Sequence, residues 1–283
     1  MAESFSNSSN AIDNMDNEKL RKALLIRERP KKANAITNTL TFGWRALLKI
    51  KYIPEQLLDV TVFPIMFLLM FTYLFGGAIA GSTGDYLQFL LPGILVMTVV
   101  TITMYTGMEL NNDIRKGIFD RFRSLPIWRP SVLVGALFVD AVRYTIASAI
   151  MITLGLILGF RPEGGVVGVL LGVGLLVLFS FSLSWIWTTL GLILRSEKSL
   201  MGVSMMVLFP LTFVSNVFVD PRTLPSWLVG FVDVNPISLV VTAVRGLMHG
   251  VATSEQIAWV LIASLVITVI FAPLTMFLYK NKK

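Results

Sequence analysis

Residues 166–194 read VVGVLLGVGLLVLFSFSLSWIWTTLGLIL, a run without one charged side chain. A bilayer core about 30 Å thick is crossed by roughly 20 apolar residues in a helix, so this stretch suffices alone. Working outward, windows near 60–80, 88–108, 144–160, 199–219 and 257–279 meet or approach the same length. The turn Arg161-Pro-Glu-Gly-Gly165 separates the quoted run from the one before it. Charged residues make up 14% of the chain and apolar ones 55%, against roughly 25% charged in soluble domains. The reading is an all-α integral membrane protein with six spans, at about 60–80, 88–108, 131–160, 166–194, 199–219 and 257–279.

The loops set the orientation. Lys and Arg cluster before the first span, between the second and third (Arg115, Lys116, Arg121, Arg123, Arg129), after the fourth (Arg195, Lys198) and at the end (Lys280, Lys282, Lys283). The opposite side holds Arg161, Arg222 and Arg245. About twenty cations face three, which predicts that both termini are cytoplasmic. The net charge of +7 is then a topology signal, with some cations against anionic lipid and no nucleic-acid partner expected.

The first fifty residues contain no apolar core of signal-peptide length. Residues 1–35, rich in Asn, Ser, Lys and Arg, read as a disordered cytoplasmic tail. Residues 36–58 alternate Leu40, Phe42, Trp44, Leu47 and Leu48 with Arg45, Lys49 and Lys51, which suits an amphipathic helix lying in the interface. With no cysteine and His249 as the only histidine, disulfides and thiolate metal sites are excluded, and zinc or triad chemistry nearly so. No cofactor is expected on the chain.

Between the second and third spans, residues 109–126 read ELNNDIRKGIFDRFRSLP. Leu110, Ile114, Ile118, Phe122 and Leu125 form one apolar stripe at helical spacing, with charges on the other faces. Too polar to span, this cytoplasmic helix either packs its stripe on the protein's own spans or docks it in a groove on a soluble partner.

The segment Gly117-Ile-Phe-Asp-Arg-Phe-Arg-Ser-Leu-Pro126 resembles the cytoplasmic motif of type-2 ABC exporter permeases, the daunorubicin/doxorubicin-resistance membrane subunits in particular. Other blocks agree in order and spacing: Leu57–Gly77 with that family's first span, Tyr86–Gly93 with the lead into its second, Leu208–Asn216 with its fifth, and Asn235–Ser238 with Ala243–Leu247 in its outer segment. The resemblance covers nearly everything after residue 37.

The resemblance implies a permease without its own ATP-binding domain, paired with a separate ATPase that holds ATP and Mg, two copies of each. No Gly-x-x-x-x-Gly-Lys-Ser/Thr loop occurs in the chain. Residues 109–126 then become the candidate coupling helix. Ile118, Phe119, Phe122 and Leu125 would fill an apolar cleft, with Asp113, Arg115, Asp120, Arg121 and Arg123 setting register. The elbow with Trp44 and Arg45 is a second contact. A homodimer is expected, with the substrate path between the copies.

For a hydrophobic drug the candidate path residues are Phe67, Phe71, Met97, Met104, Tyr105, Met205, Met206, Phe209 and Phe213, although for any one of them ordinary core filling or lipid contact is the simpler reading. Gly164, Gly168 and Gly172 recur every fourth residue and point to close helix packing, within the subunit rather than at the dimer seam. For the outer segment, 220–253, the resemblance implies short re-entrant or interfacial helices that act as an outer gate. Asp233, Asn235, Pro236 and Arg245 would lie at an outer gate, and His249 at the interface. Asp85 reads as a solvated loop charge. Asp140 and Arg143 read as a helix-surface ion pair near the cytoplasmic interface, worth at most a few tenths of a kcal/mol.

Export of a lipid or polysaccharide is the alternative within the class. A proton-driven secondary transporter would place titratable groups in mid-membrane and show an inverted repeat. An intramembrane enzyme would need clustered catalytic groups, and no His-Glu-x-x-His occurs. A passive scaffold leaves the 109–126 segment unexplained.

Overall fold

The computed structural model describes residue 44 and residues 55–117 and 131–281. The tail 1–35, Arg45, most of 36–58, and Ile118, Phe119, Asp120, Arg121, Phe122, Arg123 and Leu125 lie outside them. Among the described residues all regular structure is helical. The elements are α1 (Glu55–Met70), a π-helical turn (Phe71–Phe75), α2 (Gly76–Ala80), α3 (Thr83–Arg115), α4 (Ser131–Leu158), α5 (Gly165–Ile193), α6 (Glu197–Phe213), a 3-10 turn (Pro221–Thr223), α7 (Ser226–Val234), α8 (Pro236–His249) and α9 (Ser254–Asn281).

Five described segments are long and apolar enough to cross a membrane: Val62–Ala80, α3, α4, α5 and α9. The pair α7–α8, bent by 79°, is a sixth if counted as one broken span. Helix α6 has 17 residues, about 26 Å at the α-helical rise and so at the lower limit for spanning. The window read as 199–219 therefore ends early. Pro210 lies in its last turn, and the chain leaves the helix at Val214.

Helix α3 is the centre of the bundle, buried nearly continuously from Leu90 to Val100 and on through Met108. Its closest companion is α5, and small residues set the distance. A Cβ on Gly191 would lie 2.5 Å from the carbonyl oxygen of Gly107, so the two backbones touch there. Polar side chains stitch the same interior. Trp187 Nε1 donates to Thr103 Oγ1 at 2.8 Å, Tyr144 Oη and Ser184 Oγ lie 2.6 Å apart, and Thr189 and Thr275 share a 2.6 Å bond between α5 and α9.

At 33 residues, α3 is about 50 Å long, well beyond a hydrocarbon core about 30 Å thick. Its last turns hold Glu109, Asp113 and Arg115. The reading of 109–126 as a separate helix is thus corrected over its first part, because Glu109–Arg115 continue α3 without a break. Leu110 and Ile114 pack against Leu133, Leu192 and Tyr279. For these residues, the first half of the apolar stripe serves the protein's own bundle. Asp85 is likewise no loop residue: it opens α3, where Ser82 accepts from its N–H at 3.0 Å and donates to its carboxylate at 2.6 Å.

Candidate functional site

A cavity of about 600 Å³ lies between α1, α3 and α6. Its walls include Phe67 from α1, Met97, Met104 and Tyr105 from α3, and Met205, Phe209 and Phe213 from α6. Thr101, Thr212 and Tyr105 supply the hydroxyls, and Thr101 already donates to the Met97 carbonyl at 2.8 Å. Two of the nine sequence-predicted path residues stand apart. Phe71 sits behind the wall, 5.6 Å from Phe67 and 4.9 Å from Phe218 between ring centroids. Met206 is 80% exposed and points away.

An aromatic cluster forms one end of the cavity. Phe213 lies 4.3 Å from Phe209, 5.2 Å from Phe218 and 6.5 Å from Phe67, spacings at which rings attract one another. The π-helical turn at Phe71–Phe75 lies directly beyond it, a local over-winding that is frequent beside functional sites. On the open flank, Phe63, Met66 and Phe209 are more than half exposed. A pocket of this size, with unbranched thioethers and few polar groups, has the volume and deformability that suit a drug-sized apolar molecule.

Residues 37–249 match the ABC-2 type transporter family. The chain belongs to that family. It is similar to the daunorubicin resistance ABC transporter permease protein DrrB1 of Streptomyces coeruleorubidus, 51% identical over 93% of each chain. A probable doxorubicin resistance ABC transporter permease protein, DrrC, of Mycobacterium tuberculosis is 25% identical over 67% of this chain and 68% of its own. A putative transport permease, ycf38, of Cyanophora paradoxa is 25% identical over 81% and 82%. This ABC-2 chain is thus a multi-pass membrane subunit of a transporter.

At one end of the ABC-2 bundle lie α7 and α8, within the segment 220–253. The sequence left α8 as re-entrant or interfacial, and it is tucked inward. Ile237, Val240, Val241, Val244 and Met248 lie on its buried face. Asn235 caps it, accepting from Ile237 N–H at 2.9 Å, and its amide donates to the carbonyls of Leu211 and Val214 at 2.7 and 2.8 Å. Pro236 takes the first helical position, where no N–H is needed. Gly164 and Gly168 bring the start of α5 against the backbone at Leu247 and Met248, Gly172 faces Val244, and Gly164 N–H donates to Met248 O at 2.8 Å.

Arg245 clamps this segment. Its Nε donates to Phe89 O at 3.0 Å, its Nη2 to Asn216 O at 2.9 Å, and its guanidinium lies 3.8 Å from the Phe89 ring centre. Asp233 is exposed and takes no part in that clamp. His249 Nδ1 lies 2.9 Å from the Arg245 carbonyl. Nearby, the hydrogen-bonded Arg222 guanidinium holds the Asp220 carboxyl below its ordinary pKa. Among the described residues no group of three His, Asp or Glu side chains could hold a metal ion.

At the opposite, basic end, the structure corrects the reading of Asp140 and Arg143. Both are buried, at 4% and 5% exposure. Arg143 Nη1 donates to Asp140 Oδ1 at 3.0 Å and its Nη2 to Glu109 Oε1 at 2.8 Å, while Thr106 Oγ1 donates to Asp140 Oδ2 at 2.6 Å. The sequence interval of three was visible, but the partners on α3 lie 34 residues away. Trp44 of the elbow is helical and 66% exposed.

Proposed function

We propose that this chain is the permease of an ATP-driven exporter that moves hydrophobic or amphipathic drugs out of the cell, working with a separate ATPase. The apolar cavity between α1, α3 and α6 carries the reading. Its size fits a drug-sized molecule, and the Streptomyces relative is a permease of daunorubicin resistance. Three hydroxyl-bearing side chains in the wall offer little to a polysaccharide, which needs many hydrogen-bonding partners. An amphipathic lipid is the second reading, supported by the exposed flank at Phe63, Met66 and Phe209. The buried carboxylate of Asp140 and the half-buried one of Glu109 give a proton-driven mechanism its foothold, but Arg143 bonds both.

In this account the subunit sits in the plasma membrane with both termini cytoplasmic. The basic end of the bundle, with Arg115, Lys116, Arg195, Lys198 and Lys280, faces the cytoplasm. Six crossings (the α1 segment, α3, α4, α5, α6 and α9) satisfy that topology, leaving α7–α8 as a re-entrant outer gate. ATP and Mg reside on the partner, and this chain catalyses nothing. The elbow 36–58 lies in the interface, and the connection after α3, with Asp113, Arg115, Ile118, Phe119, Asp120, Arg121, Phe122, Arg123 and Leu125, meets the ATPase. A second permease copy covers the open flank of the cavity. ATP-driven closure of two ATPases then shifts the permease pair towards an outward-open state.

The test is to purify the tagged permease from its native membrane in mild detergent and identify what accompanies it. A stoichiometric ATPase, lost on Phe122→Asp, is expected. A permease that purifies alone overturns the assignment of that connection.

A further inference from the structure

The four-group site at Thr106, Glu109, Asp140 and Arg143 is a closed ring between two helices. Each helix contributes two members three residues apart, Thr106 and Glu109 from α3, Asp140 and Arg143 from α4. Asp140 bonds Thr106 through one oxygen and Arg143 through the other, and Arg143 returns to α3 through Glu109. Sliding either helix along its axis, or tilting one from the other, breaks the Thr106 and Glu109 contacts together. Apolar contacts resist such shear far less, since they carry no directional requirement. Tyr144, next to Arg143, ties α4 on to Ser184 of α5 at 2.6 Å.

The ring is an expensive way to hold two helices together. Two carboxylates, Asp140 buried and Glu109 half-buried, share one buried guanidinium, and an apolar replacement of a buried charge network is often as stable or more so. Retention of charge is better explained by geometric specificity than by stability. Its position supplies the use. Towards one side on α3 lie Tyr105, Met104, Thr101 and Met97 of the cavity wall, and towards the other α3 runs out to Arg115. Helix α4 begins at Ser131, where the chain returns from the same connection.

We propose that Arg143 is a positioning residue that locks the two stems of this connection, the end of α3 and the start of α4, into one lever, so that force applied to the connection by the ATPase moves the cavity wall. The inference rests on the reading that this connection meets the ATPase. Lysine cannot replace Arg143, because a single ammonium lacks the fork that addresses Asp140 and Glu109 together.

The test uses the full permease with its co-purified ATPase, and a permease in which the whole ring is neutralised, Glu109→Gln/Asp140→Asn/Arg143→Met. Removing all charges avoids stranding a buried carboxylate, which Arg143→Met alone would do. Because the chain has no cysteine, Lys116→Cys and Ser131→Cys place one spin label on each stem. In the parent, the label-to-label distance distribution stays narrow with and without ATP. In the neutralised variant it broadens, ATPase association and hydrolysis persist, and daunorubicin moved per ATP falls about tenfold, within the usual range for coupling between sites. Arg143→Lys shows the same loss. A merely structural role would lower yield or association instead of separating hydrolysis from transport. Unchanged transport per ATP with narrow distances in the neutralised variant overturns the lever. Absence of an ATPase from the unmodified permease overturns the underlying reading, and the distance distributions still report whether the ring locks the stems.

Discussion

Replacing Gly191 by alanine places a methyl group 2.5 Å from the Gly107 carbonyl oxygen and 3.1 Å from its Cα. Ordinary contact begins near 3.4 Å, so the α3 and α5 backbones must part by about 0.9 Å, and a gap of that order forfeits up to about half the dispersion energy of the contacts it opens. Neither atom can rotate away, since both belong to the backbone. One turn further on, Asn111 Nδ2 donates to Gly191 O at 3.0 Å and to Leu194 O at 2.7 Å, bonds that the separation strains. Overpacking of this kind costs about 1–3 kcal/mol, and the higher helix propensity of alanine returns about 1 kcal/mol. Gly174→Ala is the matched control on the same helix, with the same propensity gain and nothing within 4 Å. The expected difference between the two variants is about 1–3 kcal/mol, because the propensity contribution cancels. Reversible unfolding in mixed detergent micelles measures it. A Gly191→Ala permease as stable as Gly174→Ala would refute the claim that backbone contact sets the α3–α5 distance.

On the proposed export function, Met205→Trp on the cavity wall should fill the space and weaken binding of a drug probe, daunorubicin, at least about tenfold, or about 1.4 kcal/mol, in an equilibrium binding assay, with the melting temperature unchanged. Asn235→Ala removes a helix cap and two bonds to the end of α6. It should destabilise the outer segment by about 2–3 kcal/mol, seen as faster amide exchange in α8 with α5 unaffected. Trp187→Phe removes one intramembrane bond while Thr103 keeps its own bond to Val100 O. The expected cost is only about 0.6–1 kcal/mol on the same unfolding assay.

Five of the six spans were legible because hydrocarbon excludes charge, and the run from Val166 to Leu194 admits one reading. The cavity was partly legible. Met97, Met104, Met205 and Phe213 were picked for being deformable or aromatic, and they meet because α1 and α6 both pack on α3. Phe71 and Met206 share that chemistry and fall outside, since composition says nothing of the direction in which a side chain points. The end of α3 was misread because polarity marks where a helix leaves the bilayer, and a helix does not stop there. Asp140 and Arg143 read as a helix-surface pair because their α3 partners, Thr106 and Glu109, are brought near only by tertiary packing. Gly107 and Gly191 carried no signal at all, as neither belongs to a repeating small-residue pattern.

Transport itself is the decisive measurement: the permease and its co-purified ATPase reconstituted in liposomes, with daunorubicin accumulation followed after ATP addition. ATP-dependent accumulation is expected, abolished by Met205→Trp while hydrolysis continues. ATP hydrolysis without drug movement, or movement indifferent to Met205→Trp, would contradict the claim that the α1–α3–α6 cavity is the export path.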